Sequence, residues 1–97
     1  MSADELEDYE AELEMALLRE YRDLCRVFSY VVETERRFYL ANDVDVQVVA
    51  DGARPLVQVT LTDAWVWDMY RKSRFVARVR VLTFKDVNVE ELPRQEL

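Results

Sequence analysis

The side chains here that could do chemistry are almost all carboxylates and guanidinium groups. Among 97 residues there are twenty acids and thirteen bases, one cysteine, one glycine and no histidine. Without imidazole there is no histidine general base, no Ser-His or Cys-His nucleophile pair and, with a lone cysteine, no ordinary zinc site. With Gly52 as the single glycine, a phosphate-cradling glycine loop is excluded too, because such loops need several residues lacking Cβ where backbone meets ligand. What remains is carboxylate chemistry with magnesium or manganese, in which two or three acids hold a metal that polarises a phosphate. Glu33 and Glu35 on one side of a strand, with Asp45 from the next, would be the ligands for phosphodiester hydrolysis, and Arg37, Arg78 and Arg80 would hold the phosphates. The acid-x-lysine spacing of many metal nucleases is missing, and alternating Glu, Thr and Arg is the ordinary surface of a solvated sheet. The chain is therefore read as non-catalytic, with no metal ligand and no cofactor site assigned, and a magnesium nuclease stands only as an alternative.

Aromatic and cationic residues crowd into AWVWDMYRKSRF, residues 64–75. Trp65 and Trp67 continue the parity of Val57, Val59 and Leu61, which places both in a core against a helix. Asp63 shares that parity, and a carboxylate on an apolar face must be paired, sit at the rim, or be expelled by a bulge. A bulge there would turn both tryptophans outward as the aromatic-plus-arginine surface of a protein hot spot. Arg71, Lys72, Arg74, Arg78 and Arg80 lie in a segment without an acid until Asp86. Lys72, Arg74, Arg78 and Arg80 share parity, so neighbours two apart on a strand stand roughly 6.6 Å from each other, a ladder suited to a phosphate backbone. Cations on a terminal strand also guard against edge-to-edge aggregation. Arg36 is flanked on its own parity by Phe28, Tyr30, Val32, Phe38 and Leu40. It needs an anion, for which Asp63, Glu10 and Glu14 are the candidates, and it is expected to form an internal ion pair.

The charge is divided along the chain. Through Cys25, nine acids face only Arg19 and Arg22, which accounts for the whole net charge of −7; from Arg26 onward eleven acids meet eleven bases. Before residue 19 no cation stands three or four positions from a helix acid, so those carboxylates lack partners on their own helix. The helix dipole favours anions in the first turn only. Glu7, Glu10 and Glu14 are thus candidates, with Trp65 and Trp67, for contact with a protein partner bearing a basic face, where charge sets encounter rate and orientation. The net negative charge opposes any polyanion at long range, so direct nucleic-acid binding through residues 71–80 is the alternative.

These residues must be positioned by few elements. Ser2, Ala3, Asp4 and Glu5 form a capping box, and Leu6, Tyr9, Leu13, Ala16, Leu17, Tyr21 and Leu24 recur at three and four, predicting a helix to about residue 26. Residues 28–40 turn β-branched and aromatic and predict a long first strand, closed by a turn at Ala41, Asn42 and Asp43. Val44, Val46 and Val48 alternate as a second strand, residues 51–55 make a hairpin loop, and residues 57–67 and 75–84 read as the third and fourth strands. The tail after Asp86 reads as one helical turn before Pro93. The expected fold is one α+β domain over residues 1–97, a long N-terminal helix packed on a four-stranded antiparallel meander. No apolar run reaches the ~18 residues of a spanning helix, and the acidic N-terminus is unlike a signal peptide. A cytoplasmic protein without membrane contact is expected; Cys25 suits a small buried hydrophobe.

The runs REYRDLCRVFSYVVETERRFYLAND, DAWVWDMYR and RFVARVRVLTFKDVNVEEL resemble a family of small acidic actinobacterial proteins of unknown function, often encoded beside ribonuclease HII. The resemblance spans nearly the whole chain, with only the stretch ADGARP adding nothing to it. It implies a cytoplasmic bacterial protein in a nucleic-acid-processing neighbourhood, and it brings no assigned catalytic or binding residue. The combined expectation is a non-catalytic interaction module serving nucleic-acid metabolism through a protein partner.

Overall fold

The computed structural model describes residues 2–51 and 54–93, with the side chains of residues 50, 51 and 54 excepted. Helix α1 (Ala3–Leu24) begins at the capping box: Glu5 N–H donates to Ser2 Oγ at 3.2 Å and Ser2 N–H to Glu5 Oε2 at 3.4 Å. Five strands follow, β1 (Tyr30–Glu33), β2 (Phe38–Asp51), β3 (Arg54–Val66), β4 (Phe75–Thr83) and β5 (Asn88–Glu91), in one antiparallel sheet of order β4-β3-β2-β1-β5. The α+β architecture with an N-terminal helix is as expected, and the strand count is corrected from four to five.

Three local expectations are overturned. The stretch read as one strand over residues 28–40 is broken after Glu33, because the Thr34 hydroxyl accepts from Arg36 N–H at 3.4 Å and Arg37 N–H at 3.1 Å, closing a hairpin turn. The turn expected at Ala41, Asn42 and Asp43 is the interior of β2, where Ala41 pairs with Ala64 and Asp43 with Thr62. The tail forms β5 instead of a helical turn, since Val89 pairs with Val32 and completes the edge of β1. The loop expected at residues 51–55 is flanked by Asp51 and Arg54, which pair across β2 and β3, while Gly52 and Ala53 lie outside the described residues.

The sheet cannot be flat. Thr83 lies level with Val57 and Val48, whereas Asn88 lies level with Glu33 and Phe38, so in a flat sheet they would be offset along the strands by roughly 33 Å. The link joining them reaches at most about 18 Å. The sheet therefore coils, bringing β1 and β5 over the face of β3 and β4, and Val32 and Val87 pack with Val59, Leu61, Val79 and Val81.

The coil is accompanied by a phase change in side-chain alternation. The rows Ala41–Ala64–Val76 and Val44–Leu61–Val79 both belong to this valine core, yet two residues separate them on each strand where strict alternation allows one. On β3 the extra residue is absorbed by Asp63, whose φ of 50° puts a non-glycine residue in the left-handed region. The consequence is a sheet with a core on each side. Val57, Val59 and Leu61 face the valine core, while Trp65 faces the opposite side with Leu40, Val31 and Leu17 of α1. The shared parity expected for the valines and tryptophans is thus corrected, and both tryptophans pack with the helix-side cluster.

Candidate functional site

Helix α1 is fastened at its C-terminal half. Leu17 is its one buried residue, and Tyr21, Leu24 and Cys25 pack beside it on the Trp65 cluster. Glu20 anchors the contact: its Oε1 accepts from Trp65 Nε1 and from Arg74 Nε at 2.9 Å, while Arg74 Nη2 closes the second arm of a bidentate pair on Oε2. The Arg74 guanidinium holds the Glu20 carboxyl below its ordinary 4.5, with the Trp65 N–H adding to the effect against partial burial, and Glu20 in turn raises Arg74. Arg74 also donates to the Arg71 carbonyl at 3.2 Å, so one ion pair ties the helix, β3 and the 67–74 loop together.

The N-terminal half is open. Every residue from Ser2 to Tyr9 is exposed. Among the described residues, the last polar tether from the sheet side toward this end is Glu10, which accepts from the Tyr70 hydroxyl at 3.3 Å. Glu7, Glu14 and Tyr21 are seven apart, which puts them on one stripe that drifts by ~20° per step and ~40° in all, and Leu18, 42% exposed, lies between the last two. The stripe ends in an aromatic cup. Tyr21, Phe38 and Trp67 stand mutually edge-on, Tyr21 to Trp67 at 5.2 Å and 73°, Tyr21 to Phe38 at 5.5 Å and 66°, Phe38 to Trp67 at 5.8 Å and 85°, around a pocket lined by these three rings and open to solvent. Burial, helped by Cys25, pushes the Tyr21 hydroxyl up to about 12, so the cup stays neutral.

The other singled-out residues are dispersed. Trp65 has no exposed surface and is removed from the candidate contact residues; Trp67 is half-buried and remains. Arg74 is spent on Glu20, which takes it out of the proposed cationic ladder. Arg71 and Lys72 are exposed in the loop, and Arg78 and Arg80 are exposed on β4. In register, Arg78 follows Thr62 and Asp43, and Arg80 follows Thr60 and Asp45, so one threonine separates each cation from an aspartate across the sheet. Arg36 is exposed in the 34–37 turn and makes no ion pair with Asp63, itself exposed, or with any helix acid among the described residues. The expected internal pair is replaced by Arg74–Glu20, because the hairpin turn carries Arg36 off the strand. Glu33, Glu35 and Asp45 do not converge, and no cluster of three potential metal ligands occurs among the described residues. Glu35 is engaged by Lys85 at 3.2 Å and Thr83 at 3.2 Å, which lowers its carboxyl, Lys85 foremost. Sequence reading missed Tyr21 and Phe38 as surface residues. Tyr21 had a signal, its seven-residue spacing from Glu14 and Glu7; Phe38 had none until the strand break at residues 34–37 was known.

Fold and site together define a small α+β domain in which an acidic helix with an exposed N-terminal half runs into an aromatic cup, with no helix among the described residues long and apolar enough to cross a membrane. The chain belongs to the family described as Protein of unknown function (DUF2469), whose model matches residues 1–97. It is 58% identical over 97 residues to an uncharacterized protein of Mycobacterium bovis and to two of Mycobacterium tuberculosis, each match covering 100% of this chain and 96% of the relative. No solved structure matches it at a significant level. The resemblance to actinobacterial proteins of unknown function is borne out.

Proposed function

We propose that the chain is a non-catalytic interaction module that binds a protein with a basic surface through helix α1 and the cup of Tyr21, Phe38 and Trp67. The observation that carries this reading is the continuous stripe from Glu7 and Glu14 over Leu18 to the three rings. Carboxylates such as Glu7 and Glu14, without an ion-pair partner among the described residues, steer a basic surface in, and an edge-on aromatic cup receives an arginine or lysine by cation–π contact, worth about 0.5–2 kcal/mol according to desolvation. A role as an accessory in nucleic-acid metabolism rests on the sequence resemblance. The two parts of the surface separate in kinetics. Glu7→Lys with Glu14→Lys is expected to slow association and flatten its salt dependence, while Trp67→Ala is expected to speed dissociation and leave association near wild type. Surface plasmon resonance against the partner captured by crosslinking measures both. Binding of a short oligonucleotide near physiological salt that is lost on replacing Arg78 and Arg80 by glutamine, with both helix and cup variants silent, would favour direct nucleic-acid contact through β4 instead.

A further inference from the structure

The coiling of the sheet builds a second candidate site, at the outer edge of β4. It brings the 34–37 turn against the outer edge of β4, where Glu35 meets Thr83 and Lys85, and leaves a cleft of about 330 Å³ between that turn with Tyr39 on one wall and residues 79–82 on the other. Three arginines line it, Arg36, Arg37 and Arg80, with one acid, Glu35. The acid is already neutralised by Lys85. Arg37 shares its charge with Asp68 at 3.1 Å, whereas Arg36 and Arg80 have no carboxylate within ion-pair distance among the described residues. β4 ends the sheet order, and on an edge strand alternate backbone N–H groups point away from the neighbouring strand. The field is felt by Tyr39: burial raises its hydroxyl, but Arg37 and Arg71 pull it the other way.

We propose that this cleft binds the phosphoryl group of a small phosphorylated ligand, with Arg36 and Arg80 as the principal donors and the β4 edge supplying backbone N–H groups. Guanidinium forks match phosphate oxygens two at a time, and donors arriving from two walls suit a tetrahedral dianion better than a planar carboxylate, which one fork satisfies. The volume lies at the lower end of small-ligand clefts, about 300–1,000 Å³, enough for a phosphoryl group and a compact appendage. The same chemistry is offered by a free sugar phosphate and by the 5′-terminal phosphate of a nucleic acid. The test is an amide NMR titration of the full chain with inorganic phosphate, ribose 5-phosphate, ribose, acetate, and a short oligonucleotide with and without its 5′-phosphate. Shifts confined to residues 34–37 and 79–82 are expected with the phosphorylated probes and not with ribose or acetate. Arg36→Gln with Arg80→Gln, both exposed and so compatible with an unchanged melting temperature, should raise the Kd by roughly tenfold or more. Tighter binding of the 5′-phosphorylated oligonucleotide than of ribose 5-phosphate would assign the nucleic-acid source, and the reverse order the metabolite; both support the site. Absence of shifts with every phosphorylated probe at millimolar concentration, or shifts unchanged in the double variant, would overturn it. The helix variants Glu7→Lys and Glu14→Lys should leave this titration unaltered, which keeps its outcome separate from that of the partner surface.

Discussion

Glu20 is the residue on which the helix-side packing turns. It lies between the Trp65 indole and the Arg74 fork, and charge-assisted bonds of this kind contribute about 1.5–3 kcal/mol each when the partner group would otherwise be stranded. Glu20→Gln is therefore expected to cost about 1–3 kcal/mol at neutral pH, read from urea denaturation. The pH dependence has a definite sign. The folded-state carboxyl is held below its ordinary 4.5, so its contribution is fully present above that value and is lost as the pH falls through the depressed one. Wild type and Glu20→Gln should accordingly differ most above about pH 5 and converge at lower pH. A gap that stayed constant into acid would show that packing, not the ion pair, is what the substitution removes. Tyr70, held by Glu10 at 3.3 Å, is raised by burial and by that neighbouring acid, and so stays neutral throughout this range.

At the level of elements, the phase change at Asp63 and its cross-strand neighbours decides which face each aromatic reaches. Asp63 sits at φ 50°, a conformation that aspartate and glycine tolerate and a β-branched residue does not. Asp63→Gly is expected to stay within about 0.5 kcal/mol of wild type, and Asp63→Val to lose about 1–3 kcal/mol despite its high strand propensity. Equal losses, or a gain with valine, would mean that β3 runs regularly through this position. The same feature explains what could be read in advance. The helix was legible because its cap and its three-and-four spacing are local, and β3 and β4 because Val57, Val59, Leu61 and then Val79 and Val81 alternate. Asp63 was legible as a conflict, a carboxylate on an apolar parity, but the resolution depends on how three paired strands bend together, which no single strand records. The 34–37 turn was hidden because Glu33, Thr34, Glu35, Arg36 and Arg37 contain no glycine, proline or asparagine; the reversal rests on the Thr34 hydroxyl bonds. Arg36 was misplaced for that reason, and Arg74–Glu20 was missed because helix residue 20 and loop residue 74 meet only after the sheet forms. β5 was hidden because NVEE gains its strand character from an edge of β1 that needs covering.

Across the whole molecule, shape and charge point the same way. The radius of gyration is 16.0 Å, against about 12.5 Å for a compact domain of this length, and the first two turns of α1 are exposed on every residue. The net charge of −7 resides in the sequence through Cys25, so the exposed first turns of α1 are also strongly acidic, a disposition that favours steered association with a basic surface and resists polyanions at long range. The most direct measurement places a photo-crosslinking amino acid at Leu18, between the acidic stripe and the cup, and in parallel at Arg78 on β4, in the intact chain expressed in its own cells. Mass spectrometry then identifies the crosslinked segments. The Leu18 position is predicted to capture a protein through a segment rich in lysine and arginine, and Glu7→Lys with Glu14→Lys to weaken this crosslink. Capture at Arg78 alone, or a Leu18 crosslink undiminished by the double charge reversal, would contradict the acidic-helix reading.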